Sequence, residues 1–279
     1  MRFTWFAILF AAVLPAAEVK IGVAAQTVHT VKVHSESLGE DRNVNVLLPL
    51  DYESSTARYP VLYLLHGYGD DQSAWSYMTN LSGYASQHRI IIVMPDGSKS
   101  FYINSAGDPK AKFEDYISKE LIAYTDSHYR SIPLPRARAI AGLSMGGYGA
   151  VYLGLKYPGR YSAVGSFSGA LSLSRDPPSD SARAKEFATL FGTPGSDQAK
   201  ERDPFLLLDK LPAAQTPLIY IACGGEDFLV KGNREFVSQM ALRKIPYEYR
   251  EISPRGHTWD FWDDQIRIFL GILEQRWRE

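Results

Sequence analysis

Ala141-Gly142-Leu143-Ser144-Met145-Gly146-Gly147 is preceded by Ala137-Arg138-Ala139-Ile140-Ala141 and followed by Tyr148-Gly149-Ala150-Val151-Tyr152-Leu153-Gly154-Leu155. The short, mostly apolar run before it reads as a strand, and the segment after Ser144 reads as a buried helix. A Gly-x-Ser-x-Gly between strand and helix is the setting of a nucleophile elbow: the serine sits on a sharp, strained turn with its hydroxyl pushed out beyond the sheet. Glycines two positions either side let strand and helix approach each other. The pentapeptide alone recurs by chance in Gly-rich chains, so its weight comes from this context.

Working outward, Thr27–Ser35 and Arg42–Leu48 alternate polar and apolar residues around Leu38-Gly39-Glu40-Asp41, which predicts an antiparallel hairpin with one wet face. Val61–Leu65 and Ile90–Met94 are continuous apolar runs, as expected of strands covered on both faces. Ala163–Phe167, Leu218–Cys223 and Tyr247–Ile252 read as further strands; Glu114–His128, Val230–Arg243 and Trp259–Trp277 have helical spacing. This alternation predicts an α/β fold with a mostly parallel central sheet, an antiparallel N-terminal edge and helices on both faces. Reactive groups then belong at the carboxyl ends of strands, where His66, Asp96, Ser144, Ser168 and Gly224–Asp227 fall. Residues 26–279 are expected to form one domain. Within it, residues 171–212 make an irregular excursion, with a helix near Ala182–Leu190, that shapes the site as a cap.

The chain has 279 residues, 45% of them hydrophobic, and a formal net charge of −1. That balance gives no reason to expect a nucleic-acid partner, and nothing in it specifies an oligomer. Arg2, the apolar run Phe3–Leu14 and Pro15-Ala16-Ala17 resemble a secretory signal peptide over residues 1–17. Cleavage after Ala17 or after Val23-Ala24-Ala25, as late as residue 25, predicts a secreted or periplasmic protein. The run is too short for a stable membrane span. Cys223 is the only cysteine, so no internal disulfide forms.

A serine hydroxyl needs a base to take its proton, usually a histidine oriented by a carboxylate. His257 is the one histidine after Ser144; it follows the loop Ser253-Pro254-Arg255-Gly256 and precedes the last helix. The acid belongs on the loop Gly224-Gly225-Glu226-Asp227-Phe228; Asp227 is the choice, Glu226 its competitor, and capping of a helix near Leu229 the alternative role. The developing oxyanion would meet the N–H of Met145 and a second donor on His66-Gly67-Tyr68-Gly69, with Tyr68 N–H preferred. His66 reads as orienting that loop: no second histidine or acid at ligand spacing accompanies it, so neither a metal nor another cofactor is expected.

These residues carry a family resemblance. Tyr63-Leu64-Leu65-His66-Gly67, Gly142-Leu143-Ser144-Met145-Gly146-Gly147, Gly225-Glu226-Asp227-Phe228 and Gly256-His257-Thr258-Trp259 resemble the esterase D family of α/β-hydrolases, and Phe113-Glu114-Asp115-Tyr116-Ile117 is also similar. That group contains tributyrin-type esterases, S-formylglutathione hydrolases, feruloyl and acetylxylan esterases and mycolyltransferases. The resemblance runs from about Val28 to the C-terminus. It implies Ser144 as nucleophile, Asp227 as acid, His257 as base, and Met145 with Tyr68 at the oxyanion. The expected activity is an exported serine carboxylesterase acting on short-chain acyl esters, or on acetyl or feruloyl esters of carbohydrates, through an acyl-enzyme. An S-formylglutathione hydrolase-like thioesterase and an acyltransferase are alternatives; a non-catalytic binding protein fits least, because every catalytic position is filled. Gly67, Trp75, Tyr102 and Trp259 are the candidate substrate contacts, with Tyr77 and Phe101 nearby, the aromatic rings being able to stack on sugars or cinnamoyl groups.

Overall fold

The computed structural model describes residues 26–177 and 181–278; the signal-peptide reading of residues 1–17 lies outside them. One eight-stranded sheet organises the chain: β1 (Val28–Ser35), β2 (Glu40–Leu47), β3 (Val61–Leu65), β4 (Ile91–Pro95), β5 (Arg138–Leu143), β6 (Ala163–Phe167), β7 (Leu218–Gly224) and β8 (Glu248–Ile252), in the order β1-β2-β4-β3-β5-β6-β7-β8. β1 pairs antiparallel with β2, and β2 with β4; the strands from β4 to β8 are parallel. This is the α/β-hydrolase architecture expected from the sequence. The chain steps from β3 outward to β4, then crosses back to lay β5 on the other side of β3. That reversal opens a crevice at the carboxyl ends of β3 and β5, between the His66 and Ser144 loops.

Alternate residues of the central strands feed two cores. Tyr63, Leu65, Val93 and Ile140 pack on one face with Tyr148, Tyr152 and Phe236 from the helices Met145–Lys156 and Val230–Leu242. Leu62, Leu64, Ile92 and Ala141 pack on the other with Phe261, Ile266 and Phe269 from the helix Trp259–Arg278. Each such apolar side chain stabilises the fold by roughly 1.5–3 kcal/mol before entropy is counted.

The helical stretch expected over residues 114–128 runs from Phe113 to His128 and contains a wide turn at Tyr116–Glu120. A wide turn offsets the helical faces. Buried Glu114 turns inward to Tyr152, Tyr157 and Lys156, while Glu120 reaches Ser35 Oγ and the Ser37 N–H. The excursion carries helices at Ser181–Phe191, Asp197–Glu201 and Pro204–Leu207. Phe187 and Phe191 cluster with Phe101 and Tyr148, and the Arg202 guanidinium donates to Asn104 O, which ties these helices to the loops above the sheet.

The elbow depends on missing side chains. A Cβ on Gly142 would lie 2.5 Å from the Gly146 carbonyl carbon; one on Gly146 would meet Leu65 O and stand 2.7 Å from His66 O. Backbone cannot yield as a side chain can, so Gly146→Ala should cost about 3 kcal/mol or more. Gly271, on the last helix, has open space around it. Gly271→Ala should add about 0.5–1 kcal/mol of stability through helix propensity. Thermal melts of the two variants check both signs.

Candidate active site

Ser144 joins β5 to the helix Met145–Lys156 at φ 51, ψ −113. A non-glycine residue held there costs on the order of 1–3 kcal/mol and persists only where its surroundings over-determine it. Here Ser144 N–H donates to Phe167 O at 2.9 Å, and its carbonyl accepts from Tyr148 N at 3.0 Å and Ala170 N at 3.1 Å. The backbone is thus clamped by β6 and by the helix it opens, while the side chain remains partly exposed.

Two loops bring partners to it. His257, between β8 and the last helix, places Nε2 3.0 Å from Ser144 Oγ; its Nδ1 lies 2.8 Å from Asp227 Oδ2. With Nδ1–H donating to the carboxylate, Nε2 is left as acceptor for the serine proton. The ring is confined by Phe228, centroid 4.6 Å away, and by the edge-on ring of Trp262 at 4.9 Å. Asp227 follows β7 and is 2% exposed. Its Oδ1 accepts from Leu229 N at 2.8 Å, so the local turn contact and the histidine contact use different oxygens of one carboxylate. Burial works against its charge, but hydrogen bonds from His257, Ser168 and Leu229 N–H outweigh it and hold the carboxyl below its usual range. Glu226, the alternative acid, is exposed.

Across the crevice, His66 is 1% exposed. Gly97 N–H donates to its Nε2 at 2.9 Å, so Nδ1 carries the proton and donates to Gly67 O at 2.8 Å. Asp70 N–H also donates to Gly67 O, at 3.2 Å. In a trans peptide the C=O and the next N–H point in opposite directions. Holding Gly67 O therefore fixes the direction of Tyr68 N–H. The Met145 N–H opens a helix and has no acceptor within it, and it carries the helix's positive end. The Tyr68 phenol donates to Glu186 at 2.6 Å, and Lys99 Nζ lies 5.0 Å from its ring centre. Burial and Glu186 push that phenol up to about 12, so it stays a donor at neutral pH. Beyond Tyr68 a groove of about 500 Å³ opens, lined by Lys99, Ile103, Phe113, Glu186 and Leu190.

The aromatic candidates divide. Trp75 is 1% exposed, its Nε1–H donates to Leu65 O, and its ring packs edge-on against Trp259 and Phe167. Tyr102 is wholly buried, with its hydroxyl on His66 O. Phe101 lies in the cluster with Phe187 and Phe191. These three support the loops from beneath and are not surfaces for substrate, because burial hides their faces and the polar atoms of Trp75 and Tyr102 are used. Gly67 is buried in the His66 loop, and a Cβ there would stand 2.6 Å from Leu143 Cδ1. Trp259 is half-buried, and Tyr77 is exposed. Sequence reasoning passed over Phe228, whose exposed ring covers His257, and Trp262, which braces His257 from the helix side. Phe228 was findable as the neighbour of Asp227; Trp262 reads in sequence as ordinary helix core.

The Esterase family model matches residues 35–269. Among curated proteins, an acetyl esterase of Caldicellulosiruptor saccharolyticus is 30% identical over 254 residues, covering 85% of this chain and 94% of its own length. The esterase Rv1288 of Mycobacterium tuberculosis is 30% identical over 274 residues, 88% of this chain, and the match spans 59% of that longer protein. Three solved structures at 26% identity superpose on this fold. They are a ferulic acid esterase (TM-score 0.79; 91% of this chain, 100% of that one), the Staphylococcus aureus fluorophosphonate-binding serine hydrolase F (0.77; 90% and 99%) and the S-formylglutathione hydrolase of Staphylococcus aureus (0.76; 90% and 99%).

The lowered carboxyl of Asp227 has a consequence for acid stability. Its folded pKa lies below the unfolded value, so its contribution is present above about pH 4 and is lost as pH falls through the folded value. Asp227→Asn should lower stability at pH 7 and reduce the further loss between pH 5 and pH 2. Urea melts across that range read both effects.

Proposed function

The chain belongs to the Esterase family of α/β hydrolases, and from that membership we propose that it is a serine carboxylesterase that works through an acyl-enzyme on Ser144. The observation that carries this reading is the continuous relay Ser144 Oγ–His257 Nε2, His257 Nδ1–Asp227 Oδ2, at 3.0 and 2.8 Å, on a backbone turn held at positive φ.

The geometry supports the following course. Ser144 Oγ attacks the ester carbonyl carbon as its proton passes to His257 Nε2. Asp227, charged and buried, stabilises the imidazolium without taking the proton itself. The carbonyl oxygen gains a negative charge and receives the N–H groups of Met145 and Tyr68, which need no reorientation because helix and loop already hold them. The intermediate collapses, the C–O bond to the alcohol breaks, and Nε2 returns its proton to the leaving oxygen. Water then repeats the sequence on the acyl-enzyme and frees the acid.

Acetyl or feruloyl esters of carbohydrates are the substrates we favour. The relatives named acetyl esterase and ferulic acid esterase support this class. So does the groove beyond Tyr68, whose apolar floor and charged rim suit the C–H face and hydroxyls of a sugar. In this reading residues 171–212 act as the cap that selects the ester, and the N-terminal seventeen residues direct export to a secreted or periplasmic location. S-formylglutathione hydrolysis is the second reading, favoured by the similarity to the Staphylococcus aureus enzyme.

Assay on p-nitrophenyl acetate, methyl ferulate, acetylated xylan and S-formylglutathione tests these readings. The expected outcome is turnover of the oxygen esters, loss of at least about 10³-fold in kcat for Ser144→Ala and His257→Ala, and fluorophosphonate labelling confined to Ser144. Turnover of the formyl thioester alone would favour the second reading, and turnover unchanged in Ser144→Ala would end both.

A further inference from the structure

The helix Val230–Leu242 carries two consecutive residues that helix interiors disfavour, Gly232 and Asn233, and both are buried. The packing accounts for the first. A Cβ on Gly232 would stand 2.5 Å from Ser172 Oγ, so its absence lets the helix lie close to the segment that follows β6. Asn233 is wholly inaccessible, and its side chain donates to backbone. Nδ2 lies 2.9 Å from Gly169 O and 2.9 Å from Leu229 O. Carbonyl oxygens only accept, so the amide nitrogen faces them and both of its protons are used. Oδ1 is buried with no hydrogen-bond partner among the described residues. The amide therefore leaves one polar atom unpaired, a desolvation cost that its two donations have to offset.

The two carbonyls belong to the segments that hold the site. Gly169 O and Ala170 N–H are the two ends of one trans peptide and point in opposite directions. Holding Gly169 O from the helix therefore aims Ala170 N–H the other way, at Ser144 O, which it meets at 3.1 Å. Leu229 is held at both of its backbone polar groups: its carbonyl accepts from Asn233, and its N–H donates to Asp227 Oδ1 at 2.8 Å. One amide thus grips the turn after β6, which clamps the Ser144 backbone, and the turn after β7, which fixes the Asp227 carboxylate.

We propose that Asn233 is a positioning residue for the reaction: its amide ties the turn after β6 to the turn after β7 and so sets the spacing between Ser144 and the Asp227–His257 pair. For its effect on turnover this rests on the esterase reading; the four hydrogen bonds do not. The spacing matters because His257 Nε2 has to stay within reach of Ser144 Oγ, now 3.0 Å away. A displacement of about 1 Å that starts far from the reacting atoms can cost roughly a hundredfold in rate.

Three variants separate this from a merely structural role. Asn233→Leu nearly keeps the shape of the side chain and removes both donors. Asn233→Ser keeps one, because a serine hydroxyl in a helix bonds the carbonyl four residues back, here Leu229 O, and leaves Gly169 O unheld. Tyr220→Phe is the control. Tyr220 is wholly buried in the core on the other face of the sheet, and its hydroxyl donates to Gln265 at 2.7 Å, so the variant loses a buried hydrogen bond without touching either turn.

On p-nitrophenyl acetate, Asn233→Leu should lower kcat about ten- to hundredfold and leave KM within about twofold of the wild type. Tyr220→Phe should change neither. Independently of turnover, amide hydrogen exchange reads the tie directly. Relative to Tyr220→Phe, exchange at Ala170 and Leu229 should quicken about tenfold in Asn233→Leu, and at Ala170 alone in Asn233→Ser. Exchange at Tyr148, whose N–H meets the same Ser144 O from the helix side, should match the control. Should Asn233→Leu fail to fold, the milder Asn233→Ser decides through the Ala170 amide. Exchange at Ala170 no faster than in Tyr220→Phe would overturn the proposal, and so would quickened exchange with the kcat of the control. Absence of any esterase turnover in the wild type would overturn the esterase reading instead, and the exchange rates would still decide whether Asn233 ties the two turns.

Discussion

The close approach of backbone to backbone at Gly142 and Gly146 is the constraint on which the site depends. These glycines let the helix opening at Met145 lie against Leu65 O and His66 O, so the ends of β3 and β5 stand side by side. Ser144 is then forced to φ 51, with its oxygen projecting and its own peptide groups held by Phe167, Tyr148 and Ala170. Ser144 and both proposed oxyanion donors come from this one contact between strand ends. The strain at Ser144 is sustained by the two cores that cover the sheet.

The hydrogen-bonded partners of Ser144 are assembled separately, from the other side of the sheet order. β6, β7 and β8 follow β5 in parallel, and the loops after them bring Ser168, Asp227 and His257 to the same edge. Asp227 is buried yet charged because Leu229 N–H donates to one of its oxygens and His257 Nδ1 meets the other. A carboxylate so surrounded has little rotational freedom, and that rigidity passes to the imidazole. On the opposite flank, His66 performs a comparable task with backbone: fixing Gly67 O fixes Tyr68 N–H. The Tyr68 side chain extends the same residue outward to Glu186 on the helix Ser181–Phe191, coupling that helix to the His66 loop.

Much of this was legible in the chain. Continuous apolar runs at Val61–Leu65 and Ile90–Met94 identify strands covered on both faces, observed at Val61–Leu65 and Ile91–Pro95, and alternation at Thr27–Ser35 identifies the edge, observed at Val28–Ser35. Ser144, His257 and Asp227 could be chosen because each sits at a loop signal after a strand, in a fixed order, where burial does not compete as an explanation. The aromatic residues could not be sorted that way. Trp75, Tyr102 and Trp259 have the same composition cue, but Trp75 and Tyr102 are core and Trp259 is half-buried against Trp75. Aromatic rings serve packing and recognition with the same chemistry, so only their accessibility tells the roles apart.

The sequence by itself determined the strand and helix alphabet, the elbow, and the placing of Ser144, Asp227 and His257 on loops after strands, because local periodicity, glycine sterics and chain order act over a few residues at a time. Tertiary structure alone decided the rest. It set the direction of Tyr68 N–H and the placement of Trp262 against both Ser168 and His257. It also sent Glu114 inward to Tyr152, Tyr157 and Lys156. The physical reason is that a hydrogen bond's direction depends on which acceptor lies within about 3 Å, and those acceptors are supplied by segments that meet only when the sheet is complete.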